Sequence, residues 1–451
     1  MNMINVSQIV DEAPMNKFHW SLIFFCTLII IFDGYDLVVY GVALPLLMQE
    51  WSIDSITAGI IGSVALVGMM FGAFLFGSLA DKYEHKGVTR KKIIIICIML
   101  FSFFTMLCGF SDNPIEFSIY RFIAGLGIGG VMPNVIAHVG EFAPKKVKSF
   151  FVTLMFSGYA IGGMFGAVLG SALIPMYGWQ IIFFIAGVPL LVLIPIYKFL
   201  PESIESLVRQ GKRSDVIKYL QKISPQYKYQ DYHQYILNTP INHKMNSPVS
   251  ELFSQGRLIS TLMFWLSIFM TLLMVYALGS WLPKLMIEAG YNLSKSLYFL
   301  FALNIGGMIG AILGGFLADR YNIKYILITI FLLGAISLYL MTFKLPIIAL
   351  YILIACSGMA SIGAQIIISS YMTKYYPSNI RTTGIGWALG FGRLGAILGP
   401  ILIGWILVLN LSYEYYFLAI CIPAIIAMVA IIFVNDKRSA FQLKSVPNSQ
   451  S

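Results

Sequence analysis

The stretch Ile31-Phe-Asp-Gly-Tyr-Asp-Leu-Val-Val-Tyr40 decides how the rest of the chain is interpreted. It places two carboxylates, Asp33 and Asp36, inside an apolar run over residues 18–45. That run is longer than the ~20 residues that a helix needs to cross a bilayer. Their i, i+3 spacing puts both acids on one helix face, near the middle of the membrane. Because a charge at that depth costs several kcal/mol, we expect each acid to have a polar or charged partner or a functional role.

The composition identifies a membrane protein with many spans. Of the 451 residues, 58% are hydrophobic and only 11% are charged, whereas a soluble domain is nearer half apolar and a quarter charged. The mean hydropathy is +0.81. The polar residues 1–17 lack the pattern of a cleavable signal. The five cysteines lie in apolar runs and are interpreted as small core residues.

Hydropathy predicts twelve spans in an all-α membrane protein. The predicted spans are 19–42, 57–79, 92–111, 116–140, 149–173, 180–199, 258–283, 297–317, 323–343, 346–372, 382–408 and 413–434. Every second loop is rich in Lys and Arg, which predicts that both termini are cytoplasmic. The net charge of +10 follows this topology and does not indicate nucleic acid. The layout is an N-terminal tail (1–18), a six-helix bundle (19–199), a linker (200–257), a second bundle (258–434) and a C-terminal tail (435–451).

The two halves repeat. Phe71-Gly-Ala-Phe-Leu-Phe-Gly-Ser-Leu-Ala-Asp81-Lys-Tyr matches Ile309-Gly-Ala-Ile-Leu-Gly-Gly-Phe-Leu-Ala-Asp319-Arg-Tyr at an offset of 238 positions. Two six-helix bundles in parallel repeat are typical of a transporter whose site lies between them at the membrane midplane. At this offset Asp33 and Asp36 fall on Thr271 and Met274. The acid pair therefore breaks the repeat, which makes it a stronger functional candidate.

Several motifs resemble known families. The Gly-x-x-x-Asp-[Arg/Lys] element of both halves resembles the signature loop of the major facilitator superfamily. Three further stretches are similar to the aromatic acid:proton symporter family, which includes benzoate and 4-hydroxybenzoate transporters. They are Asp33-Gly-Tyr-Asp36, Arg121-Phe-Ile-Ala-Gly-Leu-Gly-Ile-Gly-Gly-Val-Met-Pro-Asn134 and Gly386-Trp-Ala-Leu-Gly-Phe-Gly-Arg393-Leu-Gly-Ala-Ile-Leu-Gly-Pro400. Leu200-Pro-Glu-Ser203 resembles an element of sugar porters.

The resemblance implies a secondary active transporter in the bacterial inner membrane. It would import a small aromatic carboxylate of the benzoate or hydroxybenzoate class by proton symport with alternating access. The expected partners are the carboxylate, protons and membrane lipid, with the monomer as the functional unit and no cofactor. The first signature loop, Asp81 to Arg90, is longer than the family pattern, and the second lacks the usual glycine. The family pattern therefore does not predict the geometry of the gate at these two loops.

Asp36 and Arg121 are the first candidates for proton coupling, and Asp33 is the second. A Tyr-Asp on helix one facing an Arg on helix four resembles the proton-coupling pair of proton-linked sugar porters. A carboxylate binds a proton weakly while a cation is beside it and more strongly when the pair opens in a low dielectric. The competing interpretation is a static ion pair that pins two helices.

Arg393 is the candidate for binding the substrate carboxylate, because it lies about 16 Å into its helix and a guanidinium matches a carboxylate with two parallel hydrogen bonds. An ion pair with Asp33 or Asp36 is the alternative. Further candidates are aromatic and amide side chains of the inferred cavity, each of which could equally pack against lipid or bridge helices. They are Tyr40, Asn134, Tyr159, Tyr276, Asn304, Gln365 and Trp387.

Charged residues at the expected cytoplasmic helix ends resemble an inter-helix network that closes the inner gate. They are Asp81, Arg90, Glu141, Asp319, Arg320 and Arg381. Solvated loop charges are the alternative.

No enzyme or metal site is expected, since the Gly runs lie in spans without a preceding strand and no His/Cys cluster is visible. Three other functions stay open. The same transporter could carry another solute (a muconate-like dicarboxylate, a nicotinate-like acid or a sugar), the chain could be a non-transporting sensor, or it could be an efflux antiporter.

Overall fold

The computed structural model describes residues 3–83, 89–225, 234–236, 248–343, 345–377 and 380–439. Within them, twelve helical segments are long and apolar enough to cross a membrane. The twelve spans and the all-α class predicted from the sequence are thus confirmed. The chain is a multi-pass membrane protein.

The helices of the first half begin after a short strand. The elements are β1 (Met3–Asn5), α1 (Val6–Glu12), α2 (Lys17–Glu50), α3 (Ser55–Tyr83), α4 (Arg90–Cys108), α5 (Pro114–Phe142), α6 (Lys148–Tyr177), α7 (Gln180–Ile185) and α8 (Val188–Phe199). Together α7 and α8 form one span, Gln180–Phe199, interrupted at Gly187 just before Pro189. The linker then contains α9 (Ile204–Arg209), α10 (Arg213–Ile223), β2 (Gln234–Ile236) and α11 (Pro248–Leu252).

The second half has the remaining spans. They are α12 (Leu258–Glu288), α13 (Leu293–Arg320), α14 (Ile323–Leu340), α15 (Ile347–Gly358), α16 (Ala364–Tyr375), α17 (Arg381–Val408) and α18 (Tyr413–Phe433). A π-helical turn, Met359–Gly363, joins α15 to α16 within one span. A 3₁₀ turn, Asp436–Arg438, follows α18.

Several helices extend well beyond the predicted spans. Predicted span 19–42 lies inside α2, which continues through Pro45 to Glu50. Hydropathy marks the stretch that is apolar enough for lipid, whereas the helical hydrogen bonds can continue past it into polar surroundings. The boundaries therefore differ although the number of spans agrees.

The chain divides into two compact units. Unit 1 contains residues 1–37, 67–162 and 177–242, and unit 2 contains residues 38–66, 163–176 and 243–451. The boundaries cut α2, α3 and α6, so Asp33 and Asp36 belong to unit 1 and Tyr40 to unit 2.

Glycine allows close helix contacts inside each unit. In unit 1, a Cβ at Gly34 would lie 2.3 Å from the Tyr159 carbonyl oxygen, so α2 and α6 touch backbone to backbone. In unit 2, a Cβ at Gly41 would lie 2.0 Å from the Gly279 carbonyl oxygen. Small residues at crossings are typical of membrane helices, because lipid provides no hydrophobic drive and association relies on close packing.

Candidate functional site

The predicted Asp36–Arg121 pair is formed, inside unit 1. The Arg121 Nη1 atom lies 2.9 Å from Oδ2 and 3.1 Å from Oδ1 of Asp36, and Nη2 lies 3.4 Å from the Asp36 backbone oxygen. The side chains are 1% exposed for Asp36 and 3% for Arg121. Since neither charge is solvated by water, each depends on the other for its stabilisation.

A third side chain, Thr105 of α4, completes this site. Its hydroxyl donates to Oδ1 of Asp36, and Thr105 is fully buried. Asp36 therefore receives hydrogen bonds from two helices, α4 and α5. Sequence reasoning missed Thr105. Its depth in α4 was a possible signal, but a threonine in a membrane helix can equally bond to its own backbone.

Asp33 lies one helical turn before Asp36 on α2. It is fully buried in unit 1. Gly34, between the two acids, is the residue that faces the α6 backbone at Tyr159. The acid pair is therefore held at a tight α2–α6 crossing, which fixes the depth and rotation of both carboxylates.

The other unit 1 candidates serve helix packing in this structure. The Asn134 amide nitrogen donates to the backbone oxygens of Gly130 at 2.8 Å and Phe76 at 3.3 Å. Tyr159 contributes its backbone to the crossing with Gly34. His138, which is not among the predicted site residues, is fully buried with its ring against Phe142, the ring centroids 5.3 Å apart.

In unit 2, Arg393 of α17 lies beside Tyr276 of α12. Their Nη1 and OH atoms are 3.5 Å apart, and Arg393 is partly exposed. Among the described residues, no carboxylate forms an ion pair with Arg393. The guanidinium of Arg393 can thus bind an anion, with the Tyr276 hydroxyl beside it.

Trp387, six residues before Arg393, is 49% exposed and stacks on Trp265, with ring centroids 6.0 Å apart and an interplanar angle of 8°. Trp265 also stacks on Phe391 at 5.6 Å. Trp265 of α12 therefore stacks on two aromatic side chains of α17, the helix that carries Arg393.

The remaining unit 2 candidates are buried or partly buried polar groups. Asn304 donates to the Leu300 oxygen at 2.9 Å, and its own oxygen faces Gly163, where a Cβ would come within 2.5 Å. Tyr40 donates its hydroxyl to the Ala58 carbonyl oxygen. Gln365 follows the π-helical turn, a feature frequently found at functional sites because it changes the register of the helix face.

Arg90 and Glu141 of the predicted gate form an ion pair in unit 1. Two residues of the linker join them: Ser203 donates to Glu141 Oε2 at 2.7 Å, and Glu205 lies 3.8 Å from Arg90. In the sequence, Ser203 stands out only as part of the motif Leu200-Pro-Glu-Ser203, and nothing there connects it to Glu141. The linker therefore contributes directly to this charge cluster.

Of the other predicted gate residues, two contact neighbours on their own segment, and the side chains of two lie outside the described part of the structure. Arg320 stacks over the Phe316 ring at 4.3 Å, and the Arg381 Nε atom donates to the Tyr376 oxygen at 3.4 Å. The side chains of Asp81 and Asp319 are outside the described part of the structure. Across the described residues there is no group of three or more His, Cys, Asp or Glu side chains that could hold a metal ion.

Comparison with known proteins identifies the family. The model of the Major Facilitator Superfamily matches residues 24–392 and 305–448. A benzoate transport protein of Acinetobacter baylyi is 62% identical over 435 residues, which covers 96% of this chain and 93% of that protein. A gentisate transporter of Corynebacterium glutamicum is 37% identical over 407 residues, 89% of this chain and 84% of that protein.

Among solved structures, the xylose transporter XylE from E. coli superimposes with a TM-score of 0.70 at 17% identity, covering 93% of this chain and all of that one. At this identity the likeness supports the fold alone. The family match and the two relatives together show that the chain belongs to the Major Facilitator Superfamily, within its aromatic acid transporters.

Proposed function

We propose that this protein imports a small aromatic carboxylate, of the benzoate or hydroxybenzoate class, together with protons. The main support is the buried Asp36–Arg121 pair, a carboxylate and its counter-ion in a span where any fixed charge is costly. The 62% identity to a protein named for benzoate transport supports the substrate class.

The proposed coupling step uses the chemistry of this pair. Asp36 stays ionised while Arg121 and Thr105 donate to it. When α2 and α5 separate during alternating access, the carboxylate loses its counter-ion in a dry environment and takes up a proton instead. When the pair closes again, the Asp36 carboxyl group releases this proton to the cytoplasmic side, and Arg121 again becomes its counter-ion. Asp33, on the same helix face, is the second proton site of this proposal.

Arg393 would bind the substrate carboxylate. Its guanidinium is partly exposed, has no carboxylate partner among the described residues and lies 3.5 Å from a tyrosine hydroxyl. Two parallel N–H donors suit a carboxylate. Trp387, on the same helix, remains a candidate aromatic contact. Tyr40, Asn134, Tyr159, Tyr276, Asn304 and Gln365 remain candidate substrate contacts.

The similarity to bacterial transporters supports a location in the bacterial inner membrane. The alternation of basic loops supports an orientation with both termini in the cytoplasm. The Arg90–Glu141 cluster with Ser203 then lies at the cytoplasmic end. There it would help close the inner gate, together with Asp81, Asp319, Arg320 and Arg381. Single cysteines introduced at the N- and C-termini of the chain and probed with a membrane-impermeant reagent would test this orientation.

The proposed function is tested by uptake into proteoliposomes. With an inward proton gradient, labelled benzoate should accumulate above its external concentration, and an uncoupler should abolish the accumulation. Unlabelled benzoate, hydroxybenzoates and gentisate should compete, whereas muconate and xylose should not. Accumulation that ignores the uncoupler would reject proton coupling, and competition by xylose alone would reject the substrate class.

A further inference from the structure

The N-terminal segment, Met3–Asn16, is folded onto the linker within unit 1. Strand β1 pairs in parallel with β2 of the linker, with Met3 opposite Gln234 and Asn5 opposite Ile236. Helix α1 buries Val6 and Val10 and packs against α10 and α5. We call this segment the clasp.

Asn16, at the end of the clasp, contacts two helix termini at once. Its Oδ1 accepts from the backbone N–H groups of Phe18 at 3.0 Å and His19 at 3.3 Å, in the first turn of α2. Its Nδ2 donates to the carbonyl oxygens of Lys222 at 2.8 Å and Ile223 at 3.0 Å, which end α10. Both sets of backbone groups lack partners inside their own helices. One amide therefore joins the start of α2 to the end of α10.

Packing continues from α10 to the charge cluster. The Tyr219 hydroxyl on α10 accepts from the Glu202 backbone N–H at 3.1 Å, and Glu202 precedes Ser203. The Ser203 hydroxyl caps α9 through the Ser206 N–H at 3.2 Å while it donates to Glu141 at 2.7 Å. A displacement of α10 would therefore move Ser203 relative to Glu141.

Contacts between aromatic rings also connect the ends of α2, α5 and α10. Phe142 at the end of α5 contacts Phe18 of α2, with centroids 5.6 Å apart, and Tyr219 of α10, 6.5 Å apart. The backbone N–H of Lys145, in the loop after α5, donates to the Asp11 carbonyl at 3.2 Å, which attaches α1 to the same place. The ends of α2, α5 and α10 are thus held as one assembly.

We propose that Asn16 is a positioning residue that couples the linker helices to α2, the helix that carries Asp33 and Asp36. The clasp keeps α10 docked, and Asn16 transmits motion between the base of α2 and the Ser203–Glu141 contact. The transport part of this proposal rests on the proposed function, whereas the contact itself does not.

The test is Asn16→Asp in the full-length protein. Aspartate keeps an oxygen that caps α2, at the end of a helix where negative charge is favourable. It replaces the Nδ2 donor with a second oxygen facing the carbonyls of α10, where negative charge is unfavourable. Asn292→Asp is the matched control, since the Asn292 oxygen caps α13 by accepting from the Lys295 N–H at 2.9 Å.

Two measurements decide the proposal. Hydrogen–deuterium exchange of residues 213–223 in nanodiscs should be about tenfold faster in Asn16→Asp, from the loss of hydrogen bonds at a helix end, and unchanged in Asn292→Asp. The maximal rate of proton-driven benzoate uptake should fall about fivefold at an unchanged KM, because Asn16 contacts the ends of α2 and α10 and is not among the candidate substrate contacts.

Unchanged exchange over 213–223, or faster exchange with a wild-type maximal rate, would overturn the proposal, and so would a change confined to KM. If Asn16→Asp fails to accumulate in the membrane, Asn16→Ser repeats the comparison without a new charge. If the wild-type protein takes up no benzoate, the proposed function fails and exchange alone decides the Asn16 contact.

Discussion

The buried pair of Asp36 and Arg121 predicts a large, non-additive loss of stability when it is broken on one side only. Replacing Arg121 with methionine keeps most of the side-chain volume and leaves the Asp36 carboxylate without its counter-ion. Replacing Asp36 with asparagine keeps the shape and leaves the guanidinium buried. The double variant removes both charges together.

The magnitude follows from the geometry. At a charge separation of about 4 Å and an effective dielectric constant of ~20, two unit charges attract by about 4 kcal/mol. Removing one partner of a buried pair typically costs about 3–5 kcal/mol, whereas replacing both with neutral groups is often close to neutral. We therefore expect the double variant to be more stable than Arg121→Met, with a coupling energy of at least ~4 kcal/mol, the Coulombic attraction of the pair.

The assay is a double-mutant cycle on the purified protein, with the free energy of unfolding of each variant measured by denaturant titration in the same detergent. Lys284 and Glu288 provide the control cycle, because they form an i, i+4 pair at 3.5 Å whose side chains are 25% and 33% exposed. That pair should show a coupling of only about 0.3–0.5 kcal/mol. Additive losses at Asp36 and Arg121, no larger than those of the control, would refute a dry and mutually dependent pair.

Two further predictions concern binding and helix packing. Arg393→Lys should weaken benzoate binding about tenfold to a hundredfold, because a point charge replaces a two-pronged donor, and an unchanged dissociation constant in equilibrium binding would remove Arg393 from the substrate site. Gly34→Ala should lower the melting temperature, because the added Cβ would lie 2.3 Å from the Tyr159 oxygen and would force α2 and α6 apart. The control is Gly77→Ala, where a Cβ would meet nothing within 4 Å, and equal melting temperatures for the two variants would contradict the tight crossing.

The Asp36–Arg121 pairing could be predicted because depth in a span can be read from the sequence. Helix rise places both residues on the same side of the midplane, and the cost of an isolated charge then makes a pair the expected outcome. The structure confirms the contact, and the proton-coupling role remains a prediction.

Thr105 and Ser203 could not be predicted in the same way. A buried hydroxyl can satisfy itself on the carbonyl four residues earlier, as Thr271 does on Ser267 at 2.7 Å. Sequence alone does not distinguish that local bond from one to a carboxylate on another helix. Only the packing of α2 against α4, and of the linker against α5, brings these two hydroxyls to Asp36 and Glu141.

The clasp was missed for a different reason. Its strand has three residues and its helix seven, both too short for a reliable periodic pattern. Asn5 as a cap with Val6 and Val10 at i, i+4 spacing was a usable signal for α1. The strand pairing and the double contact of Asn16 depend on linker residues more than 200 positions away, which no local pattern reveals.

The most direct test of the account is proton-driven uptake by Asp36→Asn in proteoliposomes, compared with wild type and with Asp54→Asn, a change at an exposed helix-capping acid. We predict that Asp36→Asn binds benzoate but reaches no more than the external concentration under an inward proton gradient, while Asp54→Asn accumulates benzoate as the wild type does. An Asp36→Asn protein that still concentrates benzoate against its gradient would contradict the role of this carboxylate in coupling.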